Sequence, residues 1–160
     1  MVSAVLFASL ATAVAASVPF NVHAVEGYDW SITNWAAGCD DEGCHYDFNV
    51  SAPADNNNPA RPAFLAYCTG GEEGGPYEEC DLLDEADVAR RVVAKLLPST
   101  PSNTSSDAVA HIQLSFKYTD LETSTTWWNF TGDGDASYNE DSSTPLTNFT
   151  IKPDSITAAA

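Results

Sequence analysis

Apolar and polar residues alternate with a period of two along most of this chain. In the clearest segment, residues 111–118, Ile112, Leu114, Phe116 and Tyr118 alternate with polar residues. This period is that of a β-strand with one buried and one exposed face. Five further strands are predicted at 28–33, 46–50, 63–68, 126–131 and 148–151. Together they predict an all-β domain, an antiparallel β-sandwich or open β-barrel of about 7–9 short strands.

The segment from Asp84 to Leu97 fits two templates equally well. It reads as a helix of three turns that begins at Asp84 and Glu85, and its residues from Val88 to Leu96 also alternate as a strand. We predict a strand, because a partner strand follows after the loop at 98–107.

Three segments rich in turn-forming residues are predicted to be loops, at 53–62, 99–106 and 132–145. In the last of them, oxygen-bearing side chains recur at every second residue from Asp133 to Asp141, as in a calcium-binding loop. Tyr138 stands where that loop needs glycine, and Thr144 stands where a bidentate Glu should be. We therefore predict a solvated acidic hairpin loop and no metal site.

The N-terminal residues indicate the compartment. Residues 1–17 form an uncharged apolar run that ends in small residues at alternate positions, which is typical of a cleaved signal peptide. The run is too short to span a bilayer, so we expect no membrane insertion. We predict a signal peptide at 1–17, a single β-sandwich domain at 18–155 and a short disordered tail at 156–160. The mature protein is expected to be secreted and extracellular.

The net charge excludes one class of partner. The chain has 6 Lys and Arg against 23 Asp and Glu, which gives a formal charge of −17. A field of that sign repels nucleic acid and anionic lipid, and the locally basic residues Arg90, Arg91 and Lys95 follow three acidic residues. We expect no nucleic-acid partner.

Four cysteines in an exported chain indicate two disulfides. Their spacings, Cys39-x4-Cys44 and Cys68-x11-Cys80, lack the close spacing of a zinc knuckle. Each of these pairs flanks a turn-rich insert, which favours the pairs Cys39–Cys44 and Cys68–Cys80. The pairs Cys44–Cys68 and Cys39–Cys80, across neighbouring strands, are the alternative.

The chain contains four N-glycosylation sequons, at Asn49, Asn103, Asn129 and Asn148. Three of these asparagines fall on the polar positions of predicted strands, where a glycan is accommodated, and Asn103 falls in a predicted loop. We expect glycosylation at all four.

Catalytic signatures are missing from the sequence. No serine or cysteine stands in a nucleophile motif, and His23, His45 and His111 are isolated. We predict no catalytic residue and no cofactor. Trp127 and Trp128 are the candidates for a binding role, because on a strand their rings point to opposite faces and one can be offered to a sugar.

Several short motifs follow one another in a recognisable order: Asp29–Trp35, Cys39-x4-Cys44, Tyr46–Val50, Phe64-x3-Cys68, Cys80, Tyr138-Asn139 and Asn148–Ile151 before Pro153. This order resembles the hypersensitive-response-inducing elicitors of plant-pathogenic fungi. More loosely, it resembles the Alternaria major allergen family, which shares an early Trp-x-Ile strand.

The resemblance implies a β-sandwich or β-barrel protein that plants perceive at the cell surface or in the apoplast. It also implies that a homodimer can form, and that no catalytic residues carry over. We therefore expect a secreted effector or elicitor that acts by binding and not by catalysis. Its partner would be an extracellular host receptor. The alternative is a carbohydrate- or cell-wall-binding module that holds a wall polysaccharide on an exposed Trp.

Overall fold

The computed structural model describes residues 18–20, 27–98, 109–139 and 147–159. The predicted signal peptide at 1–17 and the sequon at Asn103 lie outside these residues. Within the described ranges there is no helix, and so none that could cross a membrane. Eleven strands are described: β1 Val18–Phe20, β2 Trp30–Asp40, β3 Gly43–Ala52, β4 Phe64–Gly71, β5 Glu78–Glu79, β6 Asp81–Leu82, β7 Arg90–Leu96, β8 Val109–Thr119, β9 Trp127–Ser137, β10 Thr147–Ile151 and β11 Ser155–Ala159.

The strands form two antiparallel sheets packed as a sandwich. The larger sheet has the order β1-β11-β9-β8-β7-β5, and the smaller sheet has the order β10-β2-β3-β4-β6. Alternate residues of each long strand are buried between the sheets, as the period of two predicts. Phe64 of the smaller sheet stacks on Phe116 of the larger at 4.2 Å between ring centroids. The predicted fold class, an all-β antiparallel sandwich, is confirmed.

A bulge in β2 changes which residues face the core. Two residues of β2, Asn34 and Trp35, stand opposite the single residue Phe48 of β3, and Asn34 has a positive φ of 58°. The bulge returns Trp35 to the core, where it is fully buried. Asn139 stabilises the bulged segment of β2: its side-chain amide donates to the Trp35 carbonyl and accepts from the Ala37 N–H, both at 3.0 Å.

The chain passes from one sheet to the other at Cys80. β5 lies at the edge of the larger sheet and β6 at the edge of the smaller, and Cys80 is the single residue between them. Its disulfide to Cys68 of β4 holds this crossing, and both cysteines are buried. The second disulfide joins Cys39 to Cys44 across the β2–β3 hairpin. The favoured pairing is therefore confirmed.

On the opposite side of the sandwich the chain crosses back between β10 and β11. Gly132 and Gly134 of β9 face this crossing, and a Cβ on either would lie 2.7 Å from an atom of Lys152 or Ile151. Glycine is therefore required for the close approach. These glycines belong to β9, so the prediction of a loop at 132–145 is wrong for residues 132–137. The glycines signal close approach here and not a turn.

Two other predictions differ from the structure in extent. The disordered tail predicted at 156–160 is wrong for residues 156–159, because β11 pairs with both β9 and β1 and buries Ile156. The strand predicted over 84–97 is confirmed only for Arg90–Leu96, which pairs with β8 as expected. Residues 84–89 form a loop in which Asp84 binds Arg90.

The strands are also more numerous and longer than predicted. β2, β8 and β9 each have 11 residues. Three of the eleven strands, β1, β5 and β6, have only two or three residues, which is too few for any periodicity to show in the sequence.

Replacing Cys68 and Cys80 together by alanine should lower the free energy of unfolding by about 3 kcal/mol, because the disulfide closes a loop of 12 residues in the unfolded chain. The matched replacement of Cys39 and Cys44, whose separation is 5 residues, should lower it by about 2 kcal/mol. Denaturant unfolding of both variants tests the order. A larger loss of unfolding free energy for the Cys39–Cys44 variant would contradict the expectation that the Cys68–Cys80 disulfide at the crossing contributes more to stability.

Candidate binding face on the larger sheet

The surface of the larger sheet that is turned away from the smaller sheet is called the outer face here. Strand register places its residues in rows across β5, β7, β8, β9 and β11. One row contains Lys95, Gln113 and Asp133. A second row, four residues further along β7 and therefore about 13 Å away, contains Arg91, Lys117, Asn129 and Thr157. Trp127 lies beside this second row.

The cations of this acidic protein are concentrated on the outer face. All six Lys and Arg side chains are described, and Arg61 and Arg90 are buried as ion pairs with Asp55 and Asp84. Lys152 lies at the crossing between β10 and β11. The other three cations, all on the outer face, are Arg91, Lys95 and Lys117.

Sequence reasoning missed this grouping. It treated Arg90, Arg91 and Lys95 as one basic segment screened by neighbouring acids, and it did not single out Lys117. On β7, however, Arg90 faces inward and donates to the Ala63 carbonyl, whereas Arg91 faces outward. The available signal was that Arg91, Lys95 and Lys117 all occupy polar positions of two strands that were predicted to pair.

Two of these cations cover aromatic rings. The Lys95 ammonium lies 4.5 Å from the ring centroid of Tyr77, and the Lys117 ammonium lies 4.8 Å from that of Trp127. Such contacts stabilise by about 0.5–1 kcal/mol at exposed sites. The Tyr77 hydroxyl donates to Gln113 at 2.6 Å. Burial raises the pKa of this phenol and the nearby Asp133 carboxylate raises it further, so Tyr77 stays protonated as a donor.

The carboxylates of the outer face are paired with neighbours on adjacent strands. Asp133 accepts from the Gln113 amide at 2.7 Å, Asp135 lies 2.6 Å from His111 Nδ1, and Glu79 lies 3.0 Å from Arg91. Among the described residues, three cations balance three carboxylates here, in a protein of charge −17. The outer face is therefore nearly neutral.

The predicted acidic loop does not have the form expected of it. Asp133 and Asp135 lie on β9, paired in register with Gln113 and His111 of β8, so the described part of the calcium-like pattern belongs to an extended strand and not to a loop. In the described part of the chain, the cluster closest to a metal-ligand set is Cys39, Cys44 and Glu73. Its two cysteines are joined in a disulfide, so they offer no thiolate.

A groove runs beside Trp127. It has a volume of about 280 Å³ and is lined by Lys117, Trp127, Asn129, Thr157, Ala158 and Ala159. Trp127 and Trp128 face opposite sides of β9 as predicted: Trp128 packs against the core, and Trp127 lies half-buried on the outer face. We call this depression the Trp127 groove. A wider depression of about 600 Å³ follows the loop at 84–90 and is lined by three carboxylates and no aromatic ring.

The three described sequon asparagines lie on the polar positions of their strands, as predicted. Asn49 and Asn129 are half-buried and Asn148 is exposed. Asn49 and Asn148 belong to the smaller sheet, whereas Asn129 lines the Trp127 groove. No contact between the described residues brings these asparagines into one site.

The β8–β9 turn fixes the start of β9 through Asp120. Its carboxylate accepts from the Trp128 indole at 2.6 Å and from the Thr123 N–H at 2.7 Å. The Trp128 hydrogen bond and then the Thr123 N–H lower the pKa of Asp120 from 3.8 to about 2. The ionised carboxylate therefore stabilises the fold above pH 3.8, and this contribution is lost as the pH falls from 3.8 toward 2.

We predict that Asp120→Asn lowers the thermal unfolding midpoint at pH 6, and that the difference from the unmodified protein disappears near pH 2. Midpoints measured between pH 2 and pH 6 test this. Glu122→Gln, in the same turn, is the charge-matched control. A deficit in Asp120→Asn that is the same at every pH would show that the charge of Asp120 is not the cause.

No family model, curated protein or solved structure matches this chain. The resemblance to fungal elicitors therefore stays a prediction from short motifs. Any functional conclusion depends on the geometry of the outer face and the Trp127 groove.

Proposed function

We propose that this protein is secreted and acts outside the cell as an effector that plants perceive as an elicitor. It acts by binding an extracellular host receptor and not by catalysis. The disulfides support an oxidising compartment, because they persist in secreted proteins and are rare in the cytosol. The motif resemblance supports the elicitor role.

The observation that carries the proposal is the composition of the outer face. Arg91, Lys95 and Lys117 gather with Tyr77 and Trp127 on one flat, nearly neutral surface of a strongly acidic protein. Aromatic and arginine side chains are enriched at protein interfaces. Elsewhere the net negative charge keeps copies of the protein apart and directs an acidic receptor surface to this face.

Leaf infiltration with the purified secreted protein tests the proposal. Native protein should cause cell death or an oxidative burst, and reduced and alkylated protein should not, because recognition requires the folded face. Arg91→Glu should raise the threshold concentration about tenfold, since a lost interface contact of about 1.4 kcal/mol corresponds to that factor.

Lys152→Glu is the matched control for Arg91→Glu. The two side chains are 63% and 61% exposed, respectively, and both substitutions change the net charge equally. Only Arg91 lies on the outer face. Equal responses to both variants, or equal responses to native and alkylated protein, would contradict recognition of the outer face.

The Trp127 groove supports a second candidate, the binding of a wall polysaccharide. An aromatic ring beside the Thr157 hydroxyl and the Asn129 amide is a usual arrangement for stacking a sugar. The neutral polymers chitin and glucan suit it best, since the charge of −17 opposes polyanions.

On this second hypothesis, the enzymatically deglycosylated protein should be retained on insoluble chitin or glucan. Trp127→Ala should abolish retention, because it removes the stacking ring. Tyr77→Ala removes an exposed ring elsewhere on the outer face and is the control. Retention of Trp127→Ala at the level of unmodified protein would eliminate this candidate.

A further inference from the structure

The Trp127 groove is lined by the asparagine of a sequon, Asn129. Trp127, Asn129 and Thr131 are spaced by two residues on β9, so all three face outward, about 7 Å apart in succession. Asn129 stands opposite Lys117 of β8 and opposite Thr157 of β11. A sugar attached to this asparagine would start inside the groove.

One hydrogen bond orients the Asn129 side chain for attachment. The Ser115 hydroxyl donates to Asn129 Oδ1 at 2.8 Å. This hydrogen bond holds Oδ1 toward Ser115 of β8 and leaves Nδ2, on the other arm of the amide, outside the bond. An N-linked glycan is attached to Nδ2. The hydrogen bond from the Ser115 hydroxyl to Oδ1 is therefore retained when the glycan is present.

The groove is smaller than a typical ligand pocket. Its volume of about 280 Å³ lies just below the usual range of about 300–1,000 Å³ for ligand pockets. Lys117 approaches the Trp127 ring from β8, and the groove extends across β9 to Thr157 and Ala159 on β11. The Lys117 ammonium covers one face of the Trp127 ring, so an N-acetylhexosamine would place its apolar ring face or its methyl group against the remaining exposed part of the indole, and its hydroxyls beside Lys117 and Thr157.

We propose that Asn129 carries an N-linked glycan whose first N-acetylglucosamine packs on Trp127 in this groove. The proposal rests on the proposed secretion. It deepens the proposed function, because a glycan held there closes the groove to an outside polysaccharide. Tyr77 and Lys95, at the row about 13 Å away, then stay open for the receptor, and Arg91 lies in the row of Asn129 but two strands from it.

The other described sequons lack this arrangement. Two residues before Asn49, on the same face of β3, stands Asp47, and the ring beside Asn49 is that of Tyr67, directly opposite on the neighbouring strand β4. Asn148 accepts from the Asn34 N–H at 3.2 Å at the edge of the smaller sheet. Among the three described sequons, Asn129 is therefore the one with an aromatic ring two residues earlier on its own strand that lines the same groove.

Unfolding midpoints of the secreted protein test this after an endoglycosidase has trimmed each glycan to its first N-acetylglucosamine. Trp127→Ala should lower the midpoint by about 4 °C more in the protein with an intact Asn129 sequon than in Asn129→Gln. Thr131→Val removes the same sequon without changing Asn129 and should behave like Asn129→Gln. Asn49→Gln is the control and should leave the effect of Trp127→Ala unchanged.

Trp127→Phe should restore most of the midpoint, because it keeps a ring. An equal effect of Trp127→Ala with and without the Asn129 sequon would overturn the proposal. So would glycopeptide mass spectra that show sugar at Asn49 and none at Asn129. A chain that keeps residues 1–17 and carries no glycan at all would contradict secretion itself, and with it the proposed function.

Discussion

The arrangement of the whole sandwich depends on the crossing at Cys80. A single residue separates an edge strand of the larger sheet from an edge strand of the smaller, so the two sheets are tied together along that side. The disulfide to Cys68, 12 residues earlier in the chain, holds this short connection and lowers the entropy of the unfolded chain. On the opposite side, Gly132 and Gly134 let the second crossing pass close to β9. With both sides held, the orientation of the outer face is fixed.

Alternation in the sequence was enough to predict the long strands and the all-β class, because each strand buries one face. Turn residues between the cysteines favoured the observed pairs Cys39–Cys44 and Cys68–Cys80, and the pairing across neighbouring strands stayed open. Alternation does not predict the local structure where contacts between distant parts of the chain determine it. Asn34 breaks the period of β2, and its bulge is stabilised by Asn139, more than 100 residues away, whose amide donates to the Trp35 carbonyl and accepts from the Ala37 N–H. The glycines of β9 are typical turn residues in the sequence, but in the structure they are required because residues 151–152 pass close to β9.

On the outer face too, some features could be predicted from the sequence and others could not. Trp127 and the Asn129 sequon were visible in the sequence, because both depend on residue type and strand position. The grouping of Arg91, Lys95 and Lys117 was not visible, because it depends on the register between β7 and β8, which local sequence does not determine. Once the register is known, a protein with a charge of −17 has a nearly neutral, aromatic surface on one sheet. This contrast is the structural observation on which the proposed binding function rests.

The most direct test of the account is mass-spectrometric peptide mapping of the secreted protein without reduction. The account predicts a mature chain that begins at Val18, linked peptides for Cys39–Cys44 and Cys68–Cys80, and a glycan on the peptide that contains Asn129. A chain that begins at Met1 with four free thiols would contradict an extracellular, disulfide-stabilised protein. A Cys44–Cys68 link would contradict the crossing on which the arrangement of the two sheets depends.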